Sequence, residues 1–211
     1  MTATKSKPRR NNRREQLLDA AAVLFVEKGF SGTSTRDIAK ATGMLPGSLY
    51  YHFPSKEDLL VAVFEEGVQR ISACVDAALA SAEMDPWARL QKASEAHLSM
   101  LLGGSHYAHV VVRVLPKDVP GAKQNLVALR NDYEARFIAL FDALPLSSEA
   151  DRSILRLMLI GALNHAPVWY REGQDTPKGL AEKFINVLRC NQHHDAENPN
   201  NLQENKKRAK L

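Results

Sequence analysis

The sequence predicts an all-α protein of two domains, and three observations carry that prediction. Apolar residues recur at i, i+3, i+4 and i+7, the spacing of one helical face. Capping residues, prolines and glycines cut this pattern into separate helices. The stretch Thr33 to Asp58 reads as two short helices around a tight turn, followed at once by a third helix start.

Taken in order, residues 1–12 carry Lys5, Lys7, Arg9 and Arg10 among Thr, Ser, Pro and Asn, with no apolar period. They are read as a disordered basic arm, which is either a solvated tail or a strand of charge laid along phosphates or in a minor groove. Arg13 to Lys28 is the first helix, with Leu17, Ala21, Leu24 and Phe25 on one face. Gly29 ends it and Phe30 plugs its end.

Ser34 stands three residues before Asp37, the capping-box spacing. Ile38 and Ala39 then face inward while Arg36 and Lys40 face water. Gly43 follows where a left-handed cap is needed. Pro46 suits the first turn of a second helix, read as Pro46 to Phe53 and stopped by Pro54. On it Leu49 and Phe53 lie four apart and pack inward. Gly47, Ser48, Tyr51 and His52 are left outside, and Tyr50 lies nearer the inward face, between core and contact. Lys56 sits at the next helix start, where backbone amides favour anions. Two short helices so joined form a helix-turn-helix, whose second helix can enter a DNA major groove. The candidate DNA contacts are Thr33, Thr35, Arg36, Leu45, Pro46, Gly47, Ser48, Tyr50, Tyr51, His52 and Lys56.

These residues resemble the TetR family of bacterial transcriptional regulators. The resemblance rests on Gly29-Phe30, Thr33-Ser34-Thr35, Asp37-Ile38-Ala39 and Gly43, and above all on Gly47 to Phe53 followed by Ser55-Lys56-Glu57-Asp58-Leu59. It covers about Arg13 to Phe64. It implies a DNA-binding domain over 13–64 and an effector-binding and dimerisation domain over 65–190. It also implies a homodimer on a near-palindromic operator, its two heads roughly 34–36 Å apart or a multiple of that.

Composition agrees with such a partner. The net charge of +4 lies wholly in the first sixty residues, which hold ten Lys/Arg against six Asp/Glu, as expected of a protein that neutralises phosphates. Two cysteines, Cys74 and Cys190, stand far apart without metal or redox spacing, which fits a reducing cytosol. No apolar run is long enough to span a membrane. The expectation is a cytoplasmic protein with no membrane partner.

The long stripe Leu59, Leu60, Val63, Phe64, Val68, Ile71, Val75 and Leu79 reads as one helix from Ser55 to about Glu83. By resemblance it joins the two domains. Asp85-Pro86 starts another helix, which runs to Gly103-Gly104. Ser105 to Leu115 has a β-branched run that is locally strand-like, yet it is short among helical patterns and is read as helix. Ala122 to Leu144, a helix opening at Ser148 and running to Trp169-Tyr170, and a last helix from Thr176-Pro177 complete the series. The polar stretch from Asn191, residues 191–211, is read as a disordered tail. By resemblance, the last two helices pair with their copies in a second subunit, and the middle helices enclose an apolar effector cavity. Candidates to line it are His97, Met100, Tyr107, Val111, Tyr133, Phe137, Met158, Asn164 and Trp169, against the plainer reading that they are core.

Two other chemistries were weighed. His106 and His109 share a helix face and His97 could join them, but no cysteine or acid stands near at ligand spacing, so no metal and no cofactor is expected. Ser94, Ser99 and Ser105 lie near histidines without a nucleophile-elbow sequence or a Gly-rich phosphate loop, so no enzyme is expected. The expected function is a sequence-specific regulator, most simply a repressor released by a small, largely apolar effector. The alternative is a constitutive DNA binder without inducer.

Overall fold

The computed structural model describes residues 9–80 and 85–193. They form α1 (Arg9–Gly32), α2 (Thr35–Ala41), α3 (Pro46–Tyr50), α4 (Lys56–Ala80), α5 (Pro86–Leu102), α6 (His106–Arg113), α7 (Lys123–Asp142), α8 (Arg152–Trp169) and α9 (Pro177–His193). Two 3-10 turns, Pro116–Asp118 and Pro120–Ala122, connect α6 to α7. No strand occurs among the described residues, so the all-α class holds and the β-branched run of α6 is helical.

Most helix ends follow local chemistry. Ser34 caps α2 reciprocally: the Asp37 amide donates to its hydroxyl at 3.1 Å, and the Ser34 amide donates to the Asp37 carboxylate at 3.0 Å. Two orphan amides are thereby satisfied at the start of a seven-residue helix. Asp85, Asp151 and Thr176 accept from the third residue of α5, α8 and α9 in the same way. The α8 cap is thus Asp151 rather than Ser148, because the residues from Ser147 to Ala150 form a turn of their own. Glycine at position 29 adopts φ 73°, which breaks α1 from its last three residues.

Helix propagation accounts for the departures at the two ends. Arg9 to Asn12, expected to be disordered, are helical, and Asn191 to His193 continue α9. Once an amphipathic segment nucleates a helix, extending it by a few polar residues costs little. The rest of the basic arm (residues 1–8) and of the polar tail (194–211), with residues 81–84, lies outside the described residues.

By contacts the chain divides into two compact units, Met1–Cys74 with Gly103–Ala135, and Val75–Leu102 with Arg136–Leu211. This division does not follow a single cut at residue 64, because α6 packs against α1. In the first unit Leu17, Ala21 and Phe25 of α1 are buried with Ile38, Leu49 and Phe53 of the helix-turn-helix and Leu59, Leu60, Val63 and Phe64 of α4. Arg130 of α7 closes the end of α6, donating from Nη2 to the Val111 and Val114 carbonyls at 2.9 Å. In the second unit α5 packs against both α9 and α8, with Leu90, Leu98, Leu101, Phe137, Phe141, Leu163, Leu180 and Ile185 buried. Arg152 closes the end of α7 on the Phe141 and Leu144 carbonyls.

Removing the hydroxyl of the α2 cap tests this account of the short helices. Ser34→Ala is expected to lower unfolding stability by about 1 kcal/mol, seen as a lower denaturant midpoint with an unchanged slope. An unshifted midpoint would mean that the reciprocal bonds contribute nothing net.

Candidate nucleic-acid interface and a buried polar site

The second helix of the helix-turn-helix is short. Tyr51 is already its C-cap, and the amides of His52 and Phe53 both reach the Leu49 carbonyl at 2.9 Å. The helix expected to reach Phe53 ends at Tyr50, because Pro54 disfavours helical angles at Phe53 and has no N–H to continue the ladder. Leu49 and Phe53 are buried as the four-residue spacing requires. The Arg14 guanidinium lies 5.2 Å from the Phe53 ring centroid, which ties the start of α1 to this turn.

Around that anchor the outer residues reach water. Leu45 is 77% exposed, Tyr50 52% and Tyr51 70%. Pro46, Gly47 and Arg36 are exposed, and Thr35, Ser48 and His52 are half-buried. Tyr50, placed by the sequence between core and contact, therefore faces out. Its hydroxyl meets that of Thr35 at 3.2 Å, linking α2 to α3. Two tyrosines and a leucine exposed within seven residues form an apolar patch that a folded surface rarely leaves without a partner. Tyrosine and serine hydroxyls supply hydrogen bonds to phosphate or base edges, and a proline or leucine supplies contact to a thymine methyl.

Two of the candidate contacts are placed differently. Thr33 is only 1% exposed, and its hydroxyl donates to the Leu24 and Gly29 carbonyls at 3.1 and 2.8 Å. Its hydroxyl is engaged with backbone carbonyls of α1, so it is not placed to touch DNA. Lys56 turns its ammonium inward, donating to the Phe30 and Thr33 carbonyls at 2.9 Å each and lying 4.2 Å from the Phe30 ring centroid. The carbonyls at the end of α1 attract the cation more directly than the amides of α4 would attract a phosphate beside it. Sequence spacing missed this because the acceptors lie 23 and 26 residues away.

The candidate effector residues separate between the two units. His97, Phe137 and Asn164 come together in the second unit. His97 is buried, its Nε2 is 3.0 Å from Asn164 Oδ1, and its ring stands edge-on to Phe137 at 6.2 Å. Burial, only partly offset by the Asn164 bond, brings its pKa down to about 4, so the ring is neutral at pH 7. Met100 is half-buried. Met158 and Trp169 do not line an interior: they are 60% and 46% exposed, and Trp169 stacks edge-on with Phe184. Tyr107, Val111 and Tyr133 are buried residues of the first unit. The Tyr107 hydroxyl donates to Asp19 Oδ1 at 2.7 Å, so it is engaged with α1. No group of three or more His, Cys, Asp or Glu among the described residues is placed to hold a metal ion.

The buried imidazole makes stability depend on pH. The unfolded chain binds the His97 proton below its ordinary value near 6.5, whereas the folded chain resists it until about 4. Stability is therefore full above 6.5 and falls as pH drops through that window, by up to ~3 kcal/mol. The stability gap between the wild type and His97→Gln is expected to narrow by that amount from pH 7.5 to 4 in urea titrations. A gap constant over this range would contradict a neutral, dry imidazole.

Comparison with known proteins agrees with this geometry. A family model described as bacterial regulatory proteins, tetR family, matches residues 17–63, and one described as a tetracyclin repressor-like C-terminal domain matches residues 83–190. The HTH-type transcriptional repressor KstR2 of Rhodococcus jostii (strain RHA1) is 55% identical over 51 residues, 24% of this chain and 25% of that protein. The chain thus spans about a quarter of the length of such curated relatives. The HTH-type transcriptional activator FasR of Mycolicibacterium smegmatis is 27% identical over 176 residues, 82% of this chain and 78% of FasR. Among solved structures, AibR in complex with isovaleryl coenzyme A and operator DNA has the same fold, with a TM-score of 0.72 at 21% identity, covering 83% of this chain and 97% of AibR. With its helix-turn-helix and its C-terminal region both matched, the chain belongs to the TetR family of bacterial transcriptional regulators.

Proposed function

We propose that the protein is a transcriptional repressor that binds a near-palindromic operator as a homodimer and leaves it when a small, largely apolar effector binds. The observation that carries the reading is the exposed edge Leu45–Tyr51 held on buried Leu49 and Phe53. KstR2, a repressor, is similar over this region. Thr35, Arg36, Leu45, Pro46, Gly47, Ser48, Tyr50, Tyr51 and His52 are the proposed contacts. Symmetry supplies the second head: Ile154, Leu157 and Met158 of α8 and Val187 of α9 are exposed apolar side chains that a second copy would cover. In this reading Met158 and Trp169 belong with the subunit interface, and the effector site is built around His97, Asn164 and Phe137, where one polar pair can orient a ligand among apolar walls.

The regulatory reading is preferred to an enzymatic one because the candidate nucleophiles are occupied. The Ser94 and Ser99 hydroxyls donate to the Leu90 and Glu95 carbonyls, and Ser105 caps α6. No described helix is long and apolar enough to cross a membrane, and the proposed site of action is the cytoplasm, where the operator is. FasR, similar over most of the chain, favours a second reading in which DNA binding activates transcription.

A gel shift with DNA from upstream of the protein's own gene tests the reading. Tyr51→Ala is expected to weaken binding about tenfold or more, from the loss of one contact per subunit, with an unchanged melting temperature. Leu157→Asp is expected to shift sedimentation from dimer to monomer and to abolish binding at the same concentration. Wild-type protein that is monomeric, or that ignores this DNA, would contradict the proposal. A promoter fusion separates the two directions of control: deletion of the gene raises expression under a repressor and lowers it under an activator.

A further inference from the structure

Tyr107 belongs to α6 yet bonds to α1. Its phenol donates to Asp19 Oδ1 at 2.7 Å across 88 positions of sequence, while the rest of the side chain is buried. A short bond from a hydroxyl to a carboxylate is among the stronger hydrogen bonds of a protein. The same turn of α6 is fixed to α4. A Cβ on Gly67 would come within 2.6 Å of the Tyr107 carbonyl oxygen and 2.7 Å of Val111 Cγ2, so the two helices touch by backbone there. The Arg70 guanidinium of α4 lies 4.1 Å from the Tyr107 ring centroid and is itself held by Glu66 at 2.8 Å. Burial and the Asp19 carboxylate push the Tyr107 phenol well up, so it remains a donor throughout the physiological range. A further bond from α6 to α1, from Arg113 to the Val26 carbonyl, is longer at 3.4 Å. α1 in turn carries the break at Gly29 and the carbonyls that hold Thr33 and Lys56 beneath the helix-turn-helix.

From this juxtaposition we propose that Tyr107 and Asp19 are a positioning pair, a latch through which α6 sets the placement of the DNA-reading head. The proposal rests on the DNA-binding function above and adds to it the residues that pass a change in α6 to α1. Gly67 keeps α6 seated on α4, and the phenol–carboxylate bond makes α1 follow it. With the bond in place, a shift of α6 is passed to α1; with it broken, α6 stays packed against α1 but no longer passes its shift to the head. Coupling is reciprocal, so DNA bound at the head must also be felt at α6.

The test is hydrogen–deuterium exchange of the full chain with and without its upstream DNA, in the wild type, Tyr107→Phe, Asp19→Ala and the double variant. Tyr107→Phe keeps the buried ring and Asp19 is exposed, so both single variants are expected to fold, and melting curves check this. In the wild type, DNA is expected to slow exchange in residues 106–113 as well as in the helix-turn-helix. In each single variant the helix-turn-helix should still respond while the α6 response is lost, and DNA affinity should change about fivefold or more. The double variant should show no further change, because both substitutions remove the same bond. A merely structural tie would lower the melting temperature and leave the α6 response to DNA intact, and that result would overturn the latch. So would additive effects in the double variant. Failure of the wild type to bind DNA would overturn the regulatory function and the latch with it, whereas wild-type binding with an unresponsive α6 would overturn the latch alone.

Discussion

The reading head depends on a cation held inside the protein. Lys56, at the first turn of α4, gives its ammonium to the carbonyls of Phe30 and Thr33, and Thr33 gives its hydroxyl to the carbonyls of Leu24 and Gly29. α1 is broken at Gly29, and a helix leaves the carbonyls of its last turn open to further donors. Two side chains from later in the chain supply such donors and thereby fix α1, α2 and α4 against one another. Leu49 and Phe53 can then be buried, and the tyrosines beside them have nowhere to go but outward. These part-buried bonds each contribute about 1 kcal/mol net.

The sequence was most legible where the chemistry is local. Ser34 with Asp37 and Asp85 with Pro86 each start a helix within four residues, and each appears in the structure with its bond made. Inward Leu49 and Phe53 follow from their spacing alone. Lys56 and Tyr107 are placed by atoms far away in sequence. Thr33 and Lys56 are polar residues beside the helix-turn-helix; the carbonyls that claim Lys56 lie 23 and 26 residues away, and Thr33 turns inward to carbonyls four and nine residues before it. Tyr107 looks like a pocket aromatic until Asp19, 88 residues earlier, takes its hydroxyl. Met158 and Trp169 lie in a strongly apolar helix, and periodicity does not say which of its apolar faces meets the core and which is left exposed. His97 and Asn164 both read as polar groups among apolar neighbours, and they meet at 3.0 Å.

Polar groups in this protein fall into two kinds with different physical roles. Arg130, Arg152, Thr33 and Lys56 each close a helix end on backbone carbonyls, and substitution of any of them is a matter of stability. Tyr50, Tyr51, Leu45 and Arg36 lie outside that framework and are exposed, so substitution there leaves the packing in place. His97 stands apart from both kinds. It is buried and neutral, and it pairs with the Asn164 amide. Such a contact can orient a ligand without a charge having to be removed from water.

The most direct test of the account is Lys56→Met, measured two ways on the same protein: unfolding free energy in urea, and the slope of DNA affinity against salt. An internal clamp predicts a loss of stability of about 1–3 kcal/mol from two lost bonds between the ammonium and backbone carbonyls, with a salt slope equal to that of the wild type. A lysine that instead neutralises a phosphate would leave stability unchanged and flatten the slope by about one counterion per subunit. That second outcome would contradict the claim that the reading head is built on Lys56.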